Sequence, residues 1–162
     1  MDFSYSKVNI FILGCNGNLG KHITDSLSSN SDNNIFGIDI HNEYYGQSKN
    51  INYHKINFIS EGITPELKKI INNSKELNSF VNLIAKDYPV TSKKNKKVNF
   101  TKNSPFNLSL DEVCESFKVT LGSSYLIIKN LLEFEDKKFH LLLIGSIYSR
   151  NLPNLDNYSE DR

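Results

Sequence analysis

Three glycines, Gly14, Gly17 and Gly20, stand in the run Gly14-Cys15-Asn16-Gly17-Asn18-Leu19-Gly20. The segment before them, Val8 to Leu13, is short, apolar and rich in β-branched residues, broken only by Asn9; such a run predicts a strand buried on both faces. After them Leu19, Ile23 and Leu27 recur every four residues, the stripe of an amphipathic helix. Glycines at a strand-to-helix junction allow a tight turn, a close approach of backbone to phosphate, and close packing of helix on strand. The helix amino terminus adds N–H groups without intrahelical partners and the positive end of its dipole. The loop is therefore expected to cradle the pyrophosphate of a nicotinamide dinucleotide, with Asn16, Asn18 and Leu19 counted among its contacts. The competing reading is an ordinary strand-to-helix turn.

Asp39 ends a second apolar run, Ile35 to Ile40, and lies 19 residues beyond Gly20. An acid there accepts hydrogen bonds from both adenosine ribose hydroxyls and repels a 2′-phosphate. NAD is thus expected in preference to NADP, with Ile40 beside the ribose, against the alternative of a solvated acid at a strand end. Asn57 and Asn82 close or lie in later apolar runs, where an asparagine commonly satisfies local backbone. The run Lys93-Lys94-Asn95-Lys96-Lys97 suits either an anionic substrate such as a sugar nucleotide or a solvated loop. His22, His41, His54 and His140 show no ligand spacing and are read as structural; no metal is expected.

The elements that must hold these residues follow from periodicity. Ile51 to Phe58 alternates as a third strand; Thr64 caps a helix that begins at Pro65 and turns Leu67, Ile70 and Ile71 inward; Phe80 to Ala85 is a fourth strand. Lys86 to Ser109 has no periodicity and is long for a loop. Ser109 and Glu112 have capping-box spacing, and Val113, Phe117, Leu121 and Tyr125 line one face of a long helix reaching about Phe134. Phe139 to Ile144 is a fifth strand. Strands alternating with helices imply right-handed crossovers and a mainly parallel sheet: a three-layer, Rossmann-like, doubly wound α/β domain of about five strands, spanning residues 1–162 as one unit and lacking the carboxy-terminal elements of the full fold.

At 162 residues, the chain suffices for one domain with a real core. A net charge of +1 gives no reason to expect nucleic acid or an anionic membrane as partner. Cys15 and Cys114 form no CxxC or Cys/His cluster, so a reducing compartment fits. With no signal-like amino terminus and no spanning apolar stretch, the expected location is the cytoplasm.

Taken together, Ile12 to Gly20, Gly37-Ile38-Asp39-Ile40, Val81-Asn82-Leu83-Ile84-Ala85 and Leu143-Ile144-Gly145-Ser146-Ile147-Tyr148 resemble the short-chain dehydrogenase/reductase superfamily across nearly the whole chain. Tyr88-Pro89, Thr120-Leu121-Gly122 and the ending with Ser146, Tyr148, Pro153 and Tyr158 are most similar to oxidoreductases of flagellin-glycan and nonulosonic-acid biosynthesis. The resemblance implies that Asn57 stands where an acid contacts adenine, and that Asn82 and Ala85 belong to the Asn-Asn-Ala-Gly motif near the nicotinamide ribose. Leu83 and Ile84 depart from that motif. Ser146 matches the serine that hydrogen-bonds the substrate oxygen, although a strand-end serine can equally satisfy backbone. Thr120 stands in place of the asparagine that supports a proton-relay water.

The family's catalytic pair is Tyr-x-x-x-Lys, in which the cation lowers the tyrosine pKa. Tyr158-Ser159-Glu160-Asp161-Arg162 has the spacing with Arg for Lys, 12 residues after Ser146. Arg is not a conservative replacement, and in the subgroup named a tyrosine of the substrate loop stands at this point while the catalytic pair comes later. The expectation is therefore a chain that stops before its own active site. Three functions remain open: an NAD(P)-dependent oxidoreductase moving hydride at a hydroxyl or carbonyl carbon of a small molecule, a sugar derivative being one candidate; a nucleotide-sugar epimerase or dehydratase, whose usual glycine spacing this is; and a catalytically inactive NAD-binding fragment. A homo-oligomer through the long helix near residues 110–134 is a further expectation, because apolar surface there would otherwise face water.

Overall fold

A computed structural model describes residues 8–61, 63–73, 77–85, 109–134 and 137–144. Ser146, Tyr158 and the lysine-rich run lie outside these residues. The elements are β1 (Val8–Leu13), α1 (Asn18–Ser28), β2 (Asn33–Asp39), β3 (Asn52–Lys55), α2 (Phe58–Glu61), α3 (Pro65–Asn73), β4 (Leu77–Asn82), α4 (Leu110–Leu131) and β5 (Phe139–Leu143). The strands form one sheet in the order β3-β2-β1-β4-β5, and every pairing is parallel. The fold expected from the alternation of elements is the fold observed.

Strand β1 is central, and its side chains alternate between two cores because successive residues of a strand point to opposite faces. On one face Phe36, Phe11 and Phe80 are in register across three strands. Their rings stack at 4.7 and 4.6 Å. Leu67 and Ile71 of α3, and Ile127 and Leu131 of α4, cover this face. On the other, Ile10, Ile12, Ile35 and Val81 pack with Cys15 beneath α1. Helices on both faces give the three layers.

Two residues before the phenylalanine row, on the same face, lies a row of amides. Asn34 Nδ2 donates to Asn9 Oδ1 at 3.1 Å, and Asn9 Nδ2 donates to Asn78 Oδ1 at 3.2 Å. Asn9 and Asn78 are buried, where an amide without a partner is costly. A one-residue slip of any of the three strands would turn these amides away from one another, so the row reinforces the register that the apolar residues set.

Several boundaries differ from the sequence expectation. The third strand is only Asn52–Lys55, because the chain turns after Ile56 into the short helix α2. The fourth strand begins and ends three residues early, at Leu77 and Asn82. Helix α1 approaches the sheet through its small residues, with Gly20, Thr24 and Ser28 buried; Ile23 and Leu27 flank that contact and Leu19 is exposed. In α4 the stripe read from the sequence is on the wrong side. Phe117, Leu121 and Tyr125 are exposed, and Ser123, Ile127 and Leu131 face the sheet. The helix is apolar on more than one face, so periodicity alone could not say which face is buried. Its amino terminus is as expected: Glu112 N–H donates to Ser109 Oγ at 3.2 Å and Ser109 N–H to Glu112 Oε2 at 2.7 Å.

The connection from β2 to β3 contains no helix. It is tied instead to α1 through Asp25, whose carboxylate accepts the N–H groups of Gln47 and Ser48 at 3.0 and 2.8 Å and the Tyr44 hydroxyl at 2.9 Å. Burial pushes the Asp25 carboxyl up, but these donors outweigh it and hold it below the usual aspartate value. Tyr44 and Tyr53 then fill the space beside the second core.

Candidate functional site

The glycine loop emerges from the carboxyl end of β1, at the point where the chain leaves to β2 on one side and its neighbour β4 lies on the other. Such a switch in strand order leaves a crevice in an open parallel sheet. Two of the three glycines are required by their surroundings. Gly14 has φ 81°, and a Cβ on it would stand 2.9 Å from the Leu83 carbonyl carbon, so both its conformation and its space exclude a side chain. A Cβ on Gly20 would stand 2.1 Å from the Gly14 oxygen, while one on Gly17 would lie 3.3 Å from that same oxygen. Gly17 N–H donates to Gly14 O at 3.1 Å and closes the turn. Gly17 is also the N-cap of α1; no side chain caps the helix and no acid lies in its first turn. Among the described residues no carboxylate accepts the first N–H groups of α1 at its positive dipole end, and the nearest, Asp39, accepts the N–H of Asn16 just before the helix.

Asp39, at the carboxyl end of β2, stands beside this loop. Its Oδ2 accepts the Asn16 N–H at 2.9 Å, and its Oδ1 accepts the Ile40 N–H at 2.8 Å and meets His41 Nδ1 at 2.6 Å. Asn16 places its amide inward. Its Nδ2 donates to the Glu43 carbonyl at 2.9 Å and to the Tyr53 hydroxyl at 3.2 Å, and its Oδ1 accepts the Tyr45 N–H at 2.8 Å. It staples the β2–β3 connection to the glycine loop. Cys15 is fully buried behind them, and its sulfur lies 3.1 Å from where a Cβ on Gly37 would stand. Burial, with the Asp39 charge adding to it, pushes the Cys15 thiol up to about 12.

A cleft of about 670 Å³ opens over the loop. It brings together Gly14, Asn16, Gly17, Asp39, Ile40, Asn57 and Ala85 of the residues expected from sequence, and adds Leu83 and Ile84 from the chain beyond β4. Ile56, Phe58 and Ile59 make an apolar wall. The structure places the other expected residues differently. Gly20 is buried under the loop, and Leu19 is on the exposed first turn of α1 with Asn18. Asn82 is buried below the cleft, its Nδ2 donating to Ser123 and Ser124 Oγ at 2.9 and 3.1 Å and its Oδ1 accepting the Ile84 N–H at 3.1 Å. It joins the end of β4 to α4 and shapes the chain over which the cleft lies.

The lining residues not anticipated as site residues include His41, and Glu115, Lys118 and Val119 of α4. In the sequence His41 has no ligand spacing and reads as structural; the structure sets it against Asp39, two positions away, at the cleft. The α4 residues carry no motif; only the packing of that helix brings them to the rim.

The residues present fit a dinucleotide. Gly14 and Gly20 leave no room for side chains, the helix end has no side-chain cap among the described residues, and a carboxylate stands at the end of the adjacent strand. No helix among the described residues is long and apolar enough to cross a membrane.

No family model matches the chain, and no curated protein matches it. Solved structures do. One is a short-chain dehydrogenase family protein from Francisella tularensis, 15% identical, with a TM-score of 0.59 over 90% of this chain and 53% of that one. Another is a short-chain dehydrogenase from Leptospira borgpetersenii with bound NAD+, 17% identical, with a TM-score of 0.64 over 93% of this chain and 56% of that one. A third is a UDP-glucose 4-epimerase from Thermotoga maritima with UDP-glucose, 16% identical, with a TM-score of 0.54 over 82% of this chain and 37% of that one. A further similar structure holds NADPH. The chain thus spans about half the length of the dehydrogenases it matches and less of the epimerase. Its fold is the Rossmann-type fold of the short-chain dehydrogenase/reductases, which the nucleotide-sugar epimerases share.

Proposed function

We propose that this chain is the cofactor-binding part of an NAD-dependent oxidoreductase of the short-chain type, and that the full enzyme moves a hydride between nicotinamide and a hydroxyl or carbonyl carbon. The observation that carries the reading is the cradle: Gly14 at positive φ and the Gly17 end of α1, without a side-chain cap, line one cleft with Asp39, and Gly20 packs beneath them against the Gly14 carbonyl. The backbone of this loop would hold the pyrophosphate. Asp39 would receive an adenosine ribose hydroxyl, and the Ile56, Phe58 and Ile59 wall would accept a flat, weakly polar base, with Asn57 at its edge. Ala85 would stand toward the nicotinamide end. Bound nicotinamide would supply or accept the hydride; this chain's described residues orient it and exclude water from one side.

Ser146 is proposed to hold the substrate oxygen and Tyr158 to lie near it, on the resemblance described above. A sugar derivative is the proposed substrate class. The glycine spacing and the epimerase likeness favour a second reading, a nucleotide-sugar epimerase or dehydratase, which would use the same cradle. The exposed stripe of α4 supports self-association through that helix, and the surroundings proposed are cytoplasmic.

Calorimetric titration with NAD and NADP tests the cofactor reading: NAD is expected to bind more tightly at pH 8, and no binding of either dinucleotide overturns it. NADH oxidation with carbonyl substrates, set against interconversion of UDP-sugars, separates the first reading from the second.

A further inference from the structure

Asp39 does not present both oxygens to the cleft. Oδ1 meets three donors: the Ile40 N–H at 2.8 Å, the His41 N–H at 3.4 Å and His41 Nδ1 at 2.6 Å. Oδ2 accepts the Asn16 N–H at 2.9 Å. A carboxylate offers about four acceptor sites in all, so the free capacity is on Oδ2 and suits one ribose hydroxyl, not two. The group that fills Oδ1, the His41 imidazole, lines the same cleft and is 47% exposed. With Nδ1 committed to Asp39, Nε2 remains for a ligand.

That nitrogen changes its character with protonation. In the neutral ring, with the proton on Nδ1, Nε2 is an acceptor and complements a ribose hydroxyl. In the imidazolium, Nε2 is a donor, and the Asp39–His41 pair carries no net charge. A 2′-phosphate then meets a charge-assisted donor and a neutralised carboxylate. We propose that His41 is a second specificity-determining residue at the 2′ position, so that the preference for NAD over NADP is set jointly with Asp39 and falls as pH falls. This rests on the dinucleotide reading of the cleft.

The other titratable groups near the imidazole make no bond to it among the described residues. The ring of Tyr45 contacts it edge-on at 5.1 Å. Tyr53 donates its hydroxyl to the His41 carbonyl at 2.9 Å, and Lys55 is held by Asn42 Oδ1 at 2.7 Å. The Cys15 thiol is buried behind Asp39, and Glu115 and Lys118 line the same cleft from α4. Asp39 is the charged partner in contact.

The test is the ratio of NAD to NADP affinity at pH 8.5 and pH 5.5, measured by calorimetry on the full chain and on His41→Asn, which can keep a donor toward Asp39 but does not titrate. The free 2′-phosphate itself titrates near pH 6, which is common to both titrations, so the difference between the two proteins isolates the imidazole together with its coupling to the phosphate. In the wild type the ratio is expected to fall about tenfold more between the two pH values than in His41→Asn. Equal pH dependence in the two proteins, with NAD bound, overturns the role of His41 alone. Failure of either dinucleotide to bind at both pH values overturns the cofactor reading and this proposal with it.

Discussion

The two sides of β1 are built on different terms. Toward β2, the glycine loop, Asp39, Asn16 and the β2–β3 connection form a polar network whose groups satisfy one another, and small residues let α1 lie close to the sheet. Toward β5, large apolar side chains face outward: Leu142 and Ile144 are 53% and 51% exposed, and Leu121 and Tyr125 of α4 are 60% and 65% exposed. The polar network on the glycine-loop side is completed by contacts within the chain's first 55 residues. The β5 side carries more apolar surface than the described residues cover, and exposed apolar surface of this kind marks a place where another surface packs. The glycine-loop side is thus the tighter and more fully satisfied part of the molecule, and changes there should cost most.

The largest effect is expected at Gly20. Gly20→Val must displace the Gly14 carbonyl, which a Cβ would approach to 2.1 Å; about 3 kcal/mol of stability and most dinucleotide affinity should be lost, read by denaturant unfolding and by titration. Gly122, by contrast, lies in α4, where a Cβ would meet nothing within 4 Å. Gly122→Ala should leave the protein unchanged or raise its stability by up to about 1 kcal/mol. Comparable losses at both glycines would erase the contrast between the two sides.

Next come the two faces of α4. Ile127 is fully buried, so Ile127→Ala is expected to cost about 3 kcal/mol. Leu121→Ser, on the exposed face, should shift stability by less than about 0.5 kcal/mol. If copies associate through this face, the same variant should move sedimentation toward the monomer with little change in the monomer's unfolding. A large loss at Leu121 with no change in association would mean that the exposed face is covered within the chain.

A smaller effect is expected in the amide row. Asn9→Leu takes one partner from Asn34 and one from Asn78, at a cost of about 2 kcal/mol. The smallest concerns thiols. With Cys15 held up at about 12 from 9.0 and Cys114 exposed, one thiol should react with an alkylating reagent at pH 8 in the folded chain, and both after denaturation. Because the folded Cys15 binds its proton more tightly than the unfolded one, its contribution to stability is complete below about pH 9. It is lost as pH rises from 9 toward 12; a stability that rises over that range would contradict the burial of this thiol.

Much of the fold is legible in local sequence. The run Val8 to Leu13, the glycines at 14, 17 and 20, the Thr64-Pro65 start of α3 and the Ser109/Glu112 capping box each depend on residues within a turn or two of one another, and each appears where expected. Spacing of that kind expresses backbone geometry, which acts over a few residues. The parallel sheet follows because strands alternating with helices have few other ways to pack.

Tertiary structure decided the rest, because the deciding contacts join residues far apart in sequence or turn on a choice between faces. Helix α4 has apolar residues around much of its circumference, and only the sheet beneath it selected Ile127 over Leu121. Asn82 is an asparagine at a strand end in the sequence; the structure spends its amide on Ser123 and Ser124, some forty residues away. Asp39 was legible as an acid at the end of the second strand. That one of its oxygens is filled by His41, and the other shared with the Asn16 N–H, is a matter of where the glycine loop comes to rest against β2. The sequence by itself determined that a glycine turn into a helix and an acid would lie at neighbouring strand ends; the packing of loop against strand determined how much of that acid's hydrogen-bonding capacity is left.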